Sequence, residues 1–172
     1  MVVLTQMQGA IYLPVWEQGL KLKLFTLNAR LQLGGVFLTA YLGGETAAFL
    51  SQVLYLGLGL LGWNQLSIFG NGGGPDYWQE PTFGYLVGFV PAAYLAGIVA
   101  FSRPKSLANF LWSGILGLLV IHLMGMGYLL LRFASQLSEY CLKYTLVPLP
   151  SQLAIVCTCT VIAYLMRLLL LY

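Results

Sequence analysis

A series of uncharged apolar stretches, most of them long enough to cross a lipid bilayer, constrains this chain most strongly. A helix needs about 20 apolar residues to span the hydrocarbon core. Of the 172 residues 59% are hydrophobic and only 8% are charged, whereas a soluble domain is roughly 25% charged. In lipid, backbone polar groups must bond within the structure, which favours helices. The sequence therefore predicts an all-α fold, a polytopic transmembrane helical bundle with about five full helices and a short N-terminal segment.

The apolar stretches predict one transmembrane domain over residues 1–172. Residues 31–62 contain Gly43 and Gly44 between two apolar runs, and glycine adopts the positive φ of a tight turn, so this part is predicted to be a helical hairpin. Three further helices are predicted within residues 83–172, and the clear apolar spans there are 83–101, 107–131 and 147–171.

Two segments do not qualify as spans. Residues 1–30 begin with a short apolar run that is interrupted by Pro14, so we expect a re-entrant or interfacial segment or a shortened first helix. Residues 63–82 are rich in glycine, proline and polar groups, and we expect a loop there that contains no helix.

The distribution of basic residues predicts which ends of the spans face the cytoplasm. Loops with Lys and Arg face the cytoplasm, which places the turn with Arg103 and Lys105 inside. The glycine-rich loop carries Asp76 and Glu80 and no basic residue, so it is predicted to be external. By counting back through the spans, residues 1–30 are also external.

Three basic side chains, Lys21, Lys23 and Arg30, then lie on the outer side, against the charge rule. Two interpretations remain open. The side chains form a cationic rim that attracts an anionic ligand, or they extend to lipid headgroups.

Few residues suggest chemistry within the membrane. His122 lies deep in an uncharged span, where an ionisable group is a functional candidate; the alternative is a neutral imidazole bonded to a neighbouring helix. Gln32 and Gln152 lie near the outward ends of spans, where an amide bonds another helix or a polar ligand. No catalytic set, cofactor site or metal site is recognisable, so we do not predict an enzyme. The absence of a basic run argues against nucleic-acid binding.

Three separate motifs resemble one known family. The motifs are TLNARLQLGGVFLTAYLGG, the pair LYLGLGLLGW and FGNGGGPDYWQEPTFGYLVGF, and LVPLPSQLAIV. All three resemble segments of BioY, the biotin-binding S component of energy-coupling-factor (ECF) importers. The resemblance extends from about Thr26 to the end of the chain.

The resemblance implies a six-helix S component that captures biotin, or a similar small anionic ligand, at the outer face of a prokaryotic plasma (inner) membrane. Its implied partners are the lipid bilayer, an ECF transmembrane coupling protein and two ATPase subunits, with the external loops as a lid. The implied ligand-binding residues are Gln32, Gly72, Gly73, Asp76, Tyr85 and Gln152.

The sequence departs from the family pattern in two places. Only about 15 apolar residues stand where the family has its first helix. The last motif has Pro150, Ser151 and Gln152 where many members have Pro-Gly-Asp and then a lysine. Arg30 or Lys23 is therefore the candidate for the positive charge opposite a ligand carboxylate. These departures favour an alternative function, a structural accessory subunit of a larger membrane complex that binds lipid or pigment, whereas the intact glycine-rich loop disfavours it.

Overall fold

The computed structural model describes residues 8–16, 20–62, 68–69, 72–102 and 104–169, with residues 8–16 and 20–30 described by their backbone alone. Four segments of this described part are long and apolar enough to cross a membrane, so the predicted helical membrane bundle is confirmed. The elements in chain order are β1 (Gln8–Trp16), β2 (Leu20–Arg30), α1 (Gln32–Leu61), a 3-10 turn (Pro75–Gln79), α2 (Phe83–Ser102), α3 (Leu107–Arg132), a 3-10 turn (Ala134–Gln136), α4 (Leu137–Cys141), a π turn (Leu142–Leu146) and α5 (Leu149–Leu169).

Helix α1 is a hairpin of two arms. Gly44 has φ 77° and ψ −176°, a left-handed conformation that glycine adopts without steric cost. The Gln32 amide lies 2.7 Å from the Tyr55 hydroxyl, although 23 residues of straight helix would separate them by about 34 Å. The arms 32–43 and 45–61 therefore lie side by side and run in opposite directions.

The N-terminal segment forms a β-hairpin in place of a shortened first helix. Strands β1 and β2 pair antiparallel, with Ile11 opposite Phe25 and Val15 opposite Lys21. The sequence signal for β2 is the alternation LKLKLF at 20–25, which has the two-residue period of a strand. The side chains of residues 1–30, including the predicted cationic rim, lie outside the described part of the chain.

Helix α2 packs against both α1 and α3. Every fourth residue along it is small and buried, so neighbouring backbones approach closely, as packing in lipid requires. Ser113 of α3 donates a 2.6 Å hydrogen bond to the carbonyl oxygen of Ala96. The buried small residues are Gly84, Gly88, Ala92, Ala96 and Ala100.

Arg167 marks the end of the bundle opposite the glycine-rich loop. Its guanidinium donates to the carbonyl oxygens of Ala100, at 3.2 Å, and Tyr41, at 3.5 Å. Both carbonyls lie in the last turns of helical segments, where backbone oxygens lack helical partners and a cation is favourable. The guanidinium also lies 4.0 Å from the ring centroid of Phe101. Arg167 thus joins the first arm of α1, α2 and α5 at this end, and Lys105 follows α2 directly.

Candidate ligand-binding site

A cavity of about 320 Å³ opens at the end of the bundle that carries the glycine-rich loop. This volume lies at the lower end of the roughly 300–1,000 Å³ typical of small-molecule sites. The cavity is mostly apolar, with a few polar side chains at its wall. Its lining residues are Gln32, Leu33, Thr82, Tyr85, Phe89, Ile121, Lys143, Tyr144, Pro148 and Gln152.

The hairpin α1 supplies the first polar group. Gln32 is buried, and its Nε2 donates to the Tyr55 hydroxyl at 2.7 Å. Tyr55 in turn donates to the carbonyl oxygen of Ile68 at 3.2 Å. Since the amide nitrogen is engaged in this chain of bonds, the Gln32 carbonyl oxygen remains the acceptor that the residue offers to the cavity.

The π turn at Leu142–Leu146 shapes the opposite wall. The N–H of Val147 donates to the carbonyl oxygen of Leu142, five residues earlier, at 3.0 Å. π turns are rare and often occur at functional sites. This one brings the consecutive residues Lys143 and Tyr144 to the cavity. Thr145, which follows, is buried and hydrogen-bonds the Tyr85 hydroxyl of α2 at 2.7 Å, so the turn is tied to the bundle.

A third polar group comes from the contact between α3 and α5. His122 is only 5% exposed, and its Nε2 lies 2.8 Å from Oε1 of Gln152. The Tyr85 ring stands edge-on to the imidazole, with centroids 5.8 Å apart. His122 thus bonds a neighbouring helix, as one of the two sequence-based interpretations supposed, and its partner lines the cavity.

The described part of the glycine-rich loop rests on the second arm of α1. It contains one short 3-10 turn, Pro75–Gln79, so the prediction of no helix in this loop is wrong there, because proline is favourable at the start of a helical turn. The N–H of Gly74 donates to the Gly59 carbonyl oxygen at 2.8 Å. The Phe69 ring is fully buried, packs directly against Gly59, and lies 4.7 Å from the ring of Tyr77 and 5.4 Å from that of Tyr55. The loop is therefore connected, through Tyr55, to the Gln32 side of the cavity.

The structure brings together three of the predicted ligand-binding residues. Gln32, Tyr85 and Gln152 come from α1, α2 and α5, yet all three line the same cavity. Their role in ligand binding stays a prediction, and the cavity that they share is the place where a ligand would bind.

Three other predicted residues belong to the glycine-rich loop and are not among the described residues that line the cavity. Gly72 pairs with Phe69 in an isolated bridge, and Gly73 and Asp76 are exposed in the loop. Arg30 ends β2, two residues before Gln32 in the chain, and its side chain lies outside the described residues. A ligand contact from any of these four stays a prediction.

Lys143 is the functional candidate that the sequence did not reveal. The family resemblance implies a lysine after the last motif, and the sequence predicts Arg30 or Lys23 in its place, whereas the structure supplies an amine from the π turn before α5. Its ammonium lies 5.3 Å from the ring centroid of Tyr144, within the range of a cation–π contact. The available signal was a lysine at the predicted outward end of the bundle, next to an aromatic residue.

The sequence profile of the BioY family matches residues 2–171 of the chain. The chain belongs to the BioY family. The resemblance to BioY that three short motifs indicated is therefore confirmed. Nothing in this family membership indicates a catalytic activity.

Two curated relatives are similar over much of the chain. One, from Cyanophora paradoxa, is named an uncharacterized 21.2 kDa protein in the psbX-ycf33 intergenic region and is 38% identical over 72% of this chain and 65% of its own length. The other, from Lysinibacillus sphaericus, is named a probable biotin transporter BioY and is 37% identical over 64% of this chain and 55% of its own length. The matches thus span between half and two thirds of these relatives.

A solved structure shares the fold of this BioY protein. It is the crystal structure of an S-component for biotin from an ECF-type ABC transporter, with a TM-score of 0.69 over 96% of this chain and 84% of that one. The two sequences are 20% identical, so the likeness concerns the arrangement of the helices.

Proposed function

We propose that this BioY protein is the substrate-binding membrane subunit of a vitamin importer and that it captures biotin from the outer face of the membrane. The single observation that carries the proposal is the cavity at the end of the bundle that carries the glycine-rich loop, where Lys143, Gln32 and Gln152 converge on a mostly apolar wall. A BioY relative is named for biotin transport, and so is the S-component that shares the fold.

The cavity matches the chemistry of biotin group by group. The Lys143 ammonium is the partner for the carboxylate of the valerate chain, through a charge-assisted hydrogen bond. The valerate chain of biotin is apolar and packs against Phe89 and Tyr144, which line the cavity wall. The ureido group has one carbonyl acceptor and two N–H donors, and it meets the amides of Gln32 and Gln152. Lys143 takes the role for which sequence reasoning had considered Arg30 or Lys23.

The subunit is not catalytic by itself in this proposal. Capture and release require alternating exposure of the cavity, with the glycine-rich loop and residues 1–30 closing its outer side. Energy comes from ATP hydrolysed in two separate ATPase subunits, which act through an ECF transmembrane coupling protein. The protein then resides as a multi-pass protein in a prokaryotic plasma membrane.

Equilibrium binding of labelled biotin to the purified protein in detergent or nanodiscs tests the proposal. We expect saturable binding of one biotin per chain that unlabelled biotin displaces. A lack of saturable binding up to millimolar biotin would overturn the proposal. If the same preparation instead copurified with a large membrane complex and no coupling protein, the accessory-subunit function would replace it.

A further inference from the structure

We propose that His122 is a positioning residue that fixes the direction of the Gln152 amide, so that the cavity presents an N–H donor to its ligand and selects ligands with a carbonyl at that point. This inference rests on the proposed function and names the polar feature by which the site would choose among biotin-like molecules. His122 does not line the cavity itself, so it acts through Gln152.

The hydrogen bond between the two residues allows two arrangements. In the first, Nε2–H of His122 donates to Oε1 of Gln152, 2.8 Å away, and Nδ1 carries only a lone pair. In the second, the amide is reversed and donates to Nε2, so the ring proton must sit on Nδ1. A neutral imidazole holds one proton, and the two arrangements are exclusive.

The surroundings of Nδ1 favour the first arrangement. This atom is fully buried and has no hydrogen-bond partner among the residues that the structure describes. A buried N–H without an acceptor is rarer and more costly than an acceptor without a donor. The proton therefore belongs on Nε2, and Oε1 of Gln152 is the atom that faces the imidazole.

The consequence lies on the cavity side of Gln152. With Oε1 engaged, the NH₂ group is the part of the amide free to bond a ligand, and Gln152 lines the cavity. Gln32 shows the opposite polarity, because its Nε2 is bound to Tyr55 and its oxygen remains as an acceptor. The cavity thus offers one fixed donor and one fixed acceptor, which complement the carbonyl and an N–H of a ureido ring.

A pair of ligands reports the direction of the Gln152 amide. Biotin presents a carbonyl acceptor, whereas 2-iminobiotin near neutral pH presents a cationic guanidinium that only donates. The measured quantity is the ratio of their dissociation constants, 2-iminobiotin over biotin, for each purified variant. We expect wild-type protein to favour biotin, because a fixed donor repels the guanidinium N–H.

His122→Phe removes the restraint on Gln152 and fills a similar volume. The amide is then free to turn its oxygen toward the ligand, so the ratio should fall about 10-fold, which corresponds to one hydrogen bond. His122→Gln retains a polar partner of either polarity and should also lower the ratio. It serves as the second variant if His122→Phe does not fold.

Two further variants show whether the effect passes through Gln152. In Gln152→Leu the preference should fall, and addition of His122→Phe should then change the ratio no further. Ser113→Ala removes a buried hydrogen bond on the same helix α3 but should leave the ratio unchanged.

The failures of the two proposals are distinguishable. A wild-type protein that binds neither ligand overturns the biotin function. A wild-type protein that binds biotin, with an unchanged ratio in either foldable His122 variant, overturns the role of His122 alone. An equal fall of the ratio in Ser113→Ala would likewise assign the effect to loosened packing and not to His122.

Discussion

The contact between Gly59 and the glycine-rich loop gives a test of how the loop is held on the second arm of α1. A Cβ atom at Gly59 would lie 2.0, 2.3 and 2.6 Å from three carbon atoms of the Phe69 ring. Ordinary carbon–carbon contacts are roughly 3.5–4.0 Å, so Gly59→Ala must displace the ring by about 1.5 Å. Gly57 lies on the same arm of α1, and a Cβ there meets no atom within 4 Å, which makes Gly57→Ala the matched control.

The expected size of the effect follows from the burial of Phe69. Its side chain is 0% exposed and packs between Tyr55 and Tyr77, so the ring has no free space to enter. Overpacking of this kind costs about 1–3 kcal/mol. For a chain of this size each kcal/mol lowers the melting temperature by about 2–4 °C, which predicts a decrease of about 2–12 °C. Gly57→Ala should be neutral or slightly stabilising, because alanine is the better helix former.

Thermal unfolding in detergent and biotin binding, measured on both variants, check this prediction. Because Ile68 next to Phe69 accepts the hydrogen bond of Tyr55, which holds Gln32, Gly59→Ala should also weaken biotin binding by up to about 10-fold, or 1.4 kcal/mol. Equal melting temperatures and equal affinities for the two variants would refute the packing of the loop on α1.

Three further predictions concern other contacts. Lys143→Gln should raise the biotin dissociation constant at least 10-fold in equilibrium binding, since a hydrogen bond to a charged group contributes about 1.5–3 kcal/mol. The control Lys105→Gln, at the opposite end of the bundle, should leave the dissociation constant unchanged. Equal losses of affinity in the two variants would contradict the assignment of the carboxylate site. Tyr85→Phe and Thr145→Val each remove the 2.7 Å hydrogen bond that ties the π turn to α2, so each should weaken biotin binding several-fold. The double variant should lose no more affinity than either single variant. Additive losses in this double-mutant cycle would show that the two hydroxyl groups act separately. Arg167→Met leaves two carbonyl oxygens without their cation and should lower the stability by about 1–3 kcal/mol in thermal unfolding, with biotin affinity unchanged; a loss of affinity without a loss of stability would contradict this structural role.

The membrane-spanning helices and the turn within α1 were predictable because they depend on local sequence patterns. Apolar length and the absence of charge determine the spans, and Gly44 stands where the chain needs a positive φ. Gln32 and Gln152 were indicated by their positions near the ends of spans as well as by the resemblance, and Tyr85 by the resemblance alone. The structure places all three around one cavity.

The remaining features depend on contacts that no local pattern displays. The π turn that brings Lys143 to the cavity depends on hydrogen bonds between residues five apart, such as Val147 to Leu142, which a sequence of ordinary helix formers does not reveal. The partner of His122 lies 30 residues away on another helix. The N-terminal β-hairpin did have a signal, the alternation in β2, but the short apolar run before Pro14 favoured a re-entrant or interfacial segment or a shortened first helix instead.

The position of bound biotin tests the central claim most directly. A structure of the protein saturated with biotin should show the ureido oxygen about 3 Å from Nε2 of Gln152, at hydrogen-bond distance, and the carboxylate beside the Lys143 ammonium. Biotin bound elsewhere, such as in the space beside Arg167 at the opposite end of the bundle, would contradict the account.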